Sequence, residues 1–158
     1  MSTFAGIQIT TCCLEETQQL GRKIGTSISG GTVICLTGDL GSGKTSFVQG
    51  LAMGLGVPDD YYITSPTYVL INKYPGRYTL FHVDLYRIKN PVDFEDIGLY
   101  EILHGKSVVA VEWADKLSKD FLSEYMAIHF EILNDNSRKI TITVNGYDKC
   151  NLIDEEKK

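Results

Sequence analysis

Arginine is scarce in this chain: only Arg22, Arg77, Arg87 and Arg138 occur among 158 residues, and they are scattered. A nucleoside or nucleotide kinase needs several arginines to clamp donor and acceptor phosphates, often on a lid, so a kinase is a weakened reading. Positive charge is short overall, with 15 Lys and Arg against 20 Asp and Glu and a net charge of -5. A protein that grips RNA or DNA by itself more often carries a basic surface, which disfavours direct nucleic-acid binding as the main task. Cys12, Cys13, Cys35 and Cys150 contain no C-x-x-C spacing, so zinc and a disulfide framework are poor readings and a reducing cytosol fits better. No apolar run approaches the roughly 20 residues of a membrane span. The first residues lack a basic-then-apolar leader, and a cytoplasmic protein with no membrane contact is expected. A small GTPase would need N-K-x-D and D-x-x-G. The nearest match, Asn72-Lys73-Tyr74-Pro75, lacks the acid, and D-x-x-G does not occur.

Against these absences stands one dense signal. Gly38-Asp39-Leu40-Gly41-Ser42-Gly43-Lys44-Thr45 spells G-x-x-x-x-G-K-T, after the apolar run Thr32 to Thr37 and before Ser46 to Leu55, which reads as a helix. Strand, glycine-rich loop and helix follow in the order that a phosphate-binding P-loop requires. Glycines and small residues let backbone N–H groups converge on phosphate oxygens, and the helix N-terminus adds partial positive charge. Asp39, Leu40, Gly41, Ser42, Gly43, Lys44 and Thr45 are thus the expected triphosphate cradle. Lys44 would reach the β- and γ-phosphates, and the Thr45 hydroxyl would sit on Mg²⁺.

The rest of the chain alternates strand and helix signals. Phe4 to Thr10 reads as a first strand, and Leu14 to Ile28 as a helix with Leu14, Thr17, Leu20, Ile24 and Ile28 on one stripe, closed by Gly30-Gly31. Tyr68 to Tyr74 and Tyr78 to Leu85 are β-rich runs joined by Pro75-Gly76-Arg77, a hairpin signal. Pro91 to His104 reads as a helix, Ser107 to Glu112 as a strand, and Met126 to Leu133 with Lys139 to Val144 as two late strands around Asn134-Asp135-Asn136-Ser137. The expectation is an α/β, three-layer P-loop NTPase fold with a mixed, mostly parallel central sheet. One domain is expected over residues 1–150, with a frayed tail at 151–158.

Such folds place a carboxylate at the end of a strand beside the P-loop strand, to hold Mg²⁺ directly or through water. Two runs offer one: Leu80 to Asp84 and Val108 to Glu112. The second is apolar throughout, as a central strand buried on both faces should be, so Glu112 is favoured on the metal side. Asp84 is then a second acid or a water-orienting group. The strand ahead of Asp84 carries His82, which suits one polar or functional face. Thr67, in Ser65-Pro66-Thr67, lies where P-loop switches place a threonine that senses Mg²⁺ and the γ-phosphate, although a plain turn fits the same residues. Arg87 is a candidate arginine finger in cis, and the Trp113 ring either borders the nucleotide or closes the core. An ATPase module that works on a protein partner needs no second substrate pocket and fits the small size. A small P-loop kinase of a nucleoside or metabolite and a nucleotide-gated binding module remain the alternatives.

Taken in order, G-D-L-G-S-G-K-T (Gly38 to Thr45), S-P-T-Y (Ser65 to Tyr68), H-V-D-L-Y-R (His82 to Arg87) and V-E-W (Val111 to Trp113) resemble the TsaE family. The resemblance spans nearly the whole chain from the first helix to Trp113. It implies an ATPase of the bacterial machinery that makes threonylcarbamoyladenosine in tRNA, dependent on ATP and Mg²⁺; because the sequence supplies no firm arginine finger, activity of the chain alone is expected to be slow. Such a protein associates with a TsaB–TsaD pair, does not itself transfer the group, and meets tRNA only through that complex. On this pattern Leu40 to Thr45 hold the phosphates, and Thr45 and Glu112 hold Mg²⁺. Thr67 belongs to a switch-like loop, Asp84 matches a residue important for hydrolysis, and Trp113 lies beside the nucleotide. The stretch Cys13 to Thr17, where the family contacts the adenine side, has no distinctive motif, and the chain after Lys119 is uninformative as to family.

Overall fold

The computed structural model describes residues 6–68, 70–90, 98–117 and 121–146. In chain order the elements are β1 (Ile7–Thr11), α1 (Leu14–Ser27), β2 (Val33–Gly38), α2 (Lys44–Gly54), β3 (Ile71–Tyr74), β4 (Leu80–Asp84), α3 (Leu99–Leu103), β5 (Val108–Glu112), a 3₁₀ turn (Ala114–Lys116), β6 (Tyr125–Ile132) and β7 (Arg138–Asn145). The strands form one seven-stranded sheet in the order β1-β7-β6-β2-β5-β4-β3. The central run β6-β2-β5-β4 is parallel, and the flanking pairs β6–β7, β7–β1 and β3–β4 are antiparallel. Two reversals return β1 to the direction of β6, so only β7 and β3 oppose the rest. The mixed, mostly parallel sheet is the one expected from sequence.

Alternation along the central strands divides the core. Ile34, Leu36, Val108 and Ala110 face α1 and α2, whereas Val33, Cys35, Val109 and Val111 face α3 and the 3₁₀ turn. A helical layer on each side of the sheet gives three layers. Five buried residues, Val108 to Glu112, make β5 the strand most enclosed on both faces.

The two larger helices meet at glycines. A Cβ on Gly50 would lie 1.9 Å from the Gln18 carbonyl oxygen, and one on Gly54 would lie 2.2 Å from that of Arg22. On the facing helix, a Cβ on Gly21 would come within 2.2 Å of the Phe47 carbonyl and one on Gly25 within 2.4 Å of the Leu51 carbonyl. This i, i+4 pairing of small residues brings the backbones together and fixes α2, whose first turn carries Lys44 and Thr45. A methyl group at Gly50 should cost about 3 kcal/mol or more, because the backbone on the other side has little room to yield.

Several local expectations need revision. The α1 stripe holds for Thr17, Leu20, Ile24 and Ile28, but Leu14 is 53% exposed and sits at the mouth of a cavity. Gly30-Gly31 does not close α1: the helix ends at Ser27 with Ile28 in an extended conformation. The Arg77 guanidinium supplies the cap instead, donating to the carbonyls of Gly25 (2.8 Å) and Thr26 (3.3 Å) in α1, of Ile28 (3.0 Å) just beyond it, and of Gly54 (3.1 Å) in α2. Helix ends leave carbonyls without partners, and here one side chain satisfies both ends. The helix after the glycine loop starts at Lys44 rather than Ser46. The β3 strand begins at Ile71, with Tyr68 exposed in a turn. The Pro91 to His104 helix is described only from Gly98, where Leu99–Leu103 is helical, and the tail at 151–158 lies outside the described residues.

Candidate functional site

The C-terminal edge of the parallel strands opens into a cavity of about 670 Å³. Its floor is the glycine loop and the first turn of α2. Ser65, Thr67, Asp84, Tyr86, Glu112 and Trp113 line one wall. The start of α1 (Cys13, Leu14, Glu15, Thr17) and the β6–β7 turn (Asp135, Asn136, with Arg138) line the other. A crevice beyond the carboxyl ends of the strands is where open α/β sheets bind ligands.

Loop geometry follows from its glycines. Gly43, just ahead of α2, has φ 108, and Gly38 has φ 142 with no space for a Cβ, which would lie 2.7 Å from the Phe130 carbonyl. Lys44 folds back over the loop and donates to the carbonyls of Gly38 (2.6 Å) and Asp39 (2.9 Å), with the Ser42 hydroxyl at 3.4 Å. Its ammonium also lies 4.4 Å from the centre of the Trp113 ring, a cation–π contact. Burial pushes the Lys44 ammonium below its ordinary pKa range, and Glu112, Asp84, Asp39 and Asp115 offset part of that push.

Parallel register places the two acids side by side: Asp84 pairs with Glu112, and Glu112 with Leu36. Alternation sends both toward α2. Glu112 accepts from the Thr45 hydroxyl at 3.2 Å and meets His82 Nε2 at 2.5 Å. Asp84 Oδ2 accepts from Ser65 (2.6 Å) and Thr67 (3.0 Å), and Oδ1 accepts from the Tyr86 amide (2.9 Å). The polar face that His82 marks on β4 is turned inward, and the imidazole is fully buried.

Strain accompanies both acids. Among the described residues, Leu70 (φ 71) and Trp113 (φ 59) are the non-glycine positions with positive φ. The Leu70 carbonyl takes the Asp84 amide (2.9 Å), and Trp113 directly follows Glu112. Such conformations cost of order 1–3 kcal/mol each and concentrate at functional sites.

Of the residues singled out from sequence, Leu40, Gly41, Ser42, Gly43, Lys44, Thr45, Thr67, Asp84, Glu112 and Trp113 meet around this cavity. Asp39 contributes its carbonyl to Lys44 rather than a wall. Arg87 turns aside: its guanidinium lies 4.5 Å from the centre of the exposed Tyr68 ring, and Arg138 is the arginine that lines the cavity. Ser65 and Arg138 line the cavity without having been assigned a role from sequence, and His82, noted there only as the mark of a polar or functional face, is found bonded to Glu112. Ser65 was visible only as a hydroxyl two positions before Thr67, and Arg138 lies in the final third, which has no motif.

A glycine loop at the end of a central parallel strand, with carboxylates in register on neighbouring strands, defines a P-loop NTPase fold. The model of the family described as "Threonylcarbamoyl adenosine biosynthesis protein TsaE" matches residues 12–140. The chain belongs to the TsaE family. It is 39% identical over 128 residues to the tRNA threonylcarbamoyladenosine biosynthesis protein TsaE of Treponema pallidum, covering 81% of this chain and 93% of that one. It is 38% identical over 133 residues to that of Bacillus subtilis, covering 84% and 82%. The crystal structure of Bacillus subtilis YdiB superposes with a TM-score of 0.82 at 31% identity, covering 98% of this chain and 95% of that one. Among the described residues, no helix is long and apolar enough to cross a membrane.

Proposed function

We propose that this chain binds Mg·ATP in the cavity and hydrolyses it, slowly alone, as the nucleotide-driven component of tRNA threonylcarbamoyladenosine synthesis. The observation that carries this reading is the convergence of Lys44, Thr45, Glu112 and Asp84 on one cavity floored by the glycine loop. The residues suit Mg²⁺: the Thr45 hydroxyl and Glu112 carboxylate are hard oxygen donors 3.2 Å apart. No group of three or more His, Cys, Asp or Glu forms a protein-only metal cage among the described residues. That is the arrangement of a Mg²⁺ site completed by substrate phosphates and water. When bound, the ion neutralises charge on the β- and γ-phosphates.

The protein's own groups then divide the work. Backbone amides of Leu40 to Thr45 and the Lys44 ammonium stabilise charge on the phosphates; Lys44 exchanges its present carbonyl partners for phosphate oxygens. Trp113 borders the nucleotide and keeps water from the Lys44 side. Asp84 is the better group to orient the attacking water, because Glu112 is held by Thr45 and His82. Attack in line with the departing ADP oxygen releases phosphate. Thr67 leaves Asp84 when it senses the γ-phosphate, which makes the Ser65-Pro66-Thr67 loop the reporter of nucleotide state.

Leu14, Leu40 and Tyr86 are exposed apolar side chains among the cavity-lining residues, and the chain is net acidic. Both features support a protein partner, a TsaB–TsaD pair as the family resemblance implies, with tRNA met only through it. The cytoplasm is the matching location. The kinase alternative gains nothing from a cavity lined by a single arginine.

Lys44→Ala should abolish phosphate release, a loss of 100-fold or more on the order seen for oxyanion-type donors; full activity in that variant would overturn the site. Co-purification with TsaB and TsaD in ATP and in ADP, scored together with phosphate release, tests the partner. Retention indifferent to nucleotide, or a phosphorylated small molecule as product, would sink the proposal.

A further inference from the structure

The geometry points to His82 as a positioning residue: its buried imidazole holds Glu112 so that the carboxylate stays within reach of Thr45. This rests on the reading of Thr45 and Glu112 as the magnesium-side oxygens. His82 stands opposite Ala110 on β5, and Glu112 is two residues further along the same face. That diagonal spacing is within reach of a long side chain. The small Ala110 leaves room for the ring to lie across the strand, where Nε2 meets Glu112 Oε2 at 2.5 Å. The carboxylate so held keeps both oxygens within hydrogen-bond distance of the Thr45 hydroxyl, Oε1 at 3.2 Å and Oε2 at 3.4 Å.

A merely structural residue would be chosen differently here. The imidazole is wholly buried on the sheet face that also carries Leu80, Val108 and Ala110, and among the described residues its Nδ1 has no protein hydrogen-bond partner. An unsatisfied buried polar atom is a cost that leucine or phenylalanine would not carry at this position. Among the described residues, the polar contact the ring makes is with Glu112, so the compensation for that cost lies in the carboxylate. His82 is not among the residues that line the cavity; it acts through Glu112. Partners that orient metal-holding side chains in this way typically change metal affinity 10- to 100-fold when removed.

The test uses the full chain with ADP and Mn²⁺, the metal being followed by the electron paramagnetic resonance of the free ion. His82→Leu should weaken Mn²⁺ binding about tenfold or more while leaving ADP affinity without metal within about twofold. His82→Gln, whose amide N–H falls near the Nε2 position, should recover most of the loss. In a Glu112→Gln background His82→Leu should change Mn²⁺ affinity less than about twofold, since the pair acts as a unit. Unchanged Mn²⁺ affinity in His82→Leu, or an undiminished loss in the Glu112→Gln background, overturns the inference. Should the leucine variant not fold, His82→Gln and His82→Asn replace it: the shorter asparagine must bind Mn²⁺ more weakly, and equal affinity counts against the proposal. Failure of the underlying reading looks different, because Glu112→Gln alone would then leave Mn²⁺ affinity intact.

Discussion

The ends of β4 and β5 occupy equivalent places and behave oppositely. Asp84 and Glu112 are register partners on parallel strands, both nearly fully buried, both turned toward α2, each beside a strained residue. Glu112 is tied to regular structure, to His82 within β4 and to Thr45 in the first turn of α2. Asp84 is tied to irregular structure, through Ser65 and Thr67 in a connection and through the Tyr86 amide beyond its own strand. Strand register thus sets where an acid stands, but its partners decide whether it is fixed or exchangeable. A fixed acid suits holding an ion at constant geometry; one bound by loop hydroxyls suits responding to a ligand.

The difference can be broken most strongly at β5. If Glu112 holds the ion as proposed, Glu112→Gln should reduce Mn²⁺ affinity in the ADP complex about 100-fold, measured by paramagnetic resonance, because a charged oxygen donor is replaced by a neutral amide. Next, Asp84→Asn should lower phosphate release about 100-fold, on the scale of removing a general-base group, while Mn²⁺ affinity stays within about threefold. If only the Asp84 change weakens the metal, the two roles are reversed. Smaller effects should separate the hydroxyls of the loop. Thr67→Val should erase most of the preference for ATP over ADP with little change in melting, whereas Ser65→Ala, removing the shorter bond to Asp84, should lower stability by about 1 kcal/mol. Equal nucleotide preference losses in both variants would show that neither hydroxyl is the sensor.

The smallest effect serves as a control on the opposite face of β2. Burial pushes the Cys35 thiol up to about 12. Its folded pKa exceeds the unfolded value near 9, so the unfolded chain loses its proton first as pH rises. Stability from this group is complete below pH 9 and falls by at most about 1.4 kcal/mol per pH unit from there toward pH 12. Urea unfolding at pH 8 and pH 10.5 should show a shallower alkaline decline in Cys35→Ala, with Mn²⁺ affinity at pH 8 unchanged. An altered metal affinity would mean that the faces of the sheet are not independent.

Much of this was legible in the sequence, for reasons that differ by residue. The glycine loop reads directly because only glycine suits Gly43, and because strand, loop and helix are contiguous. The VVAVE run announces a strand buried on both faces and ending in an acid. The hairpin around Pro75-Gly76 was legible through turn chemistry. Harder to see was anything resting on register: that His82 faces Ala110, and so reaches Glu112, follows from a pairing of strands separated by α3. The end of α1 was misread because local glycine signals compete with distant donors, and Arg77 reaches its carbonyls from the β3–β4 turn. Leu14 was misread as core because helical periodicity does not reveal which end of a stripe opens onto a cavity. Arg138 has no motif at all; only the folding back of β7 brings it beside Gly41, whose carbonyl it contacts at 3.2 Å.

The glycine interlock between α1 and α2 also predicts how the chain tolerates change. Gly21, Gly25, Gly50 and Gly54 bring no chemistry to the cavity, yet each is blocked by backbone of the opposite helix. In a saturation library scored for survival, these four should be as intolerant as Lys44, and alanine no safer than leucine. Their intolerance should persist when the readout is folded abundance instead of nucleotide turnover, which would separate scaffold from mechanism without a single ligand in the assay.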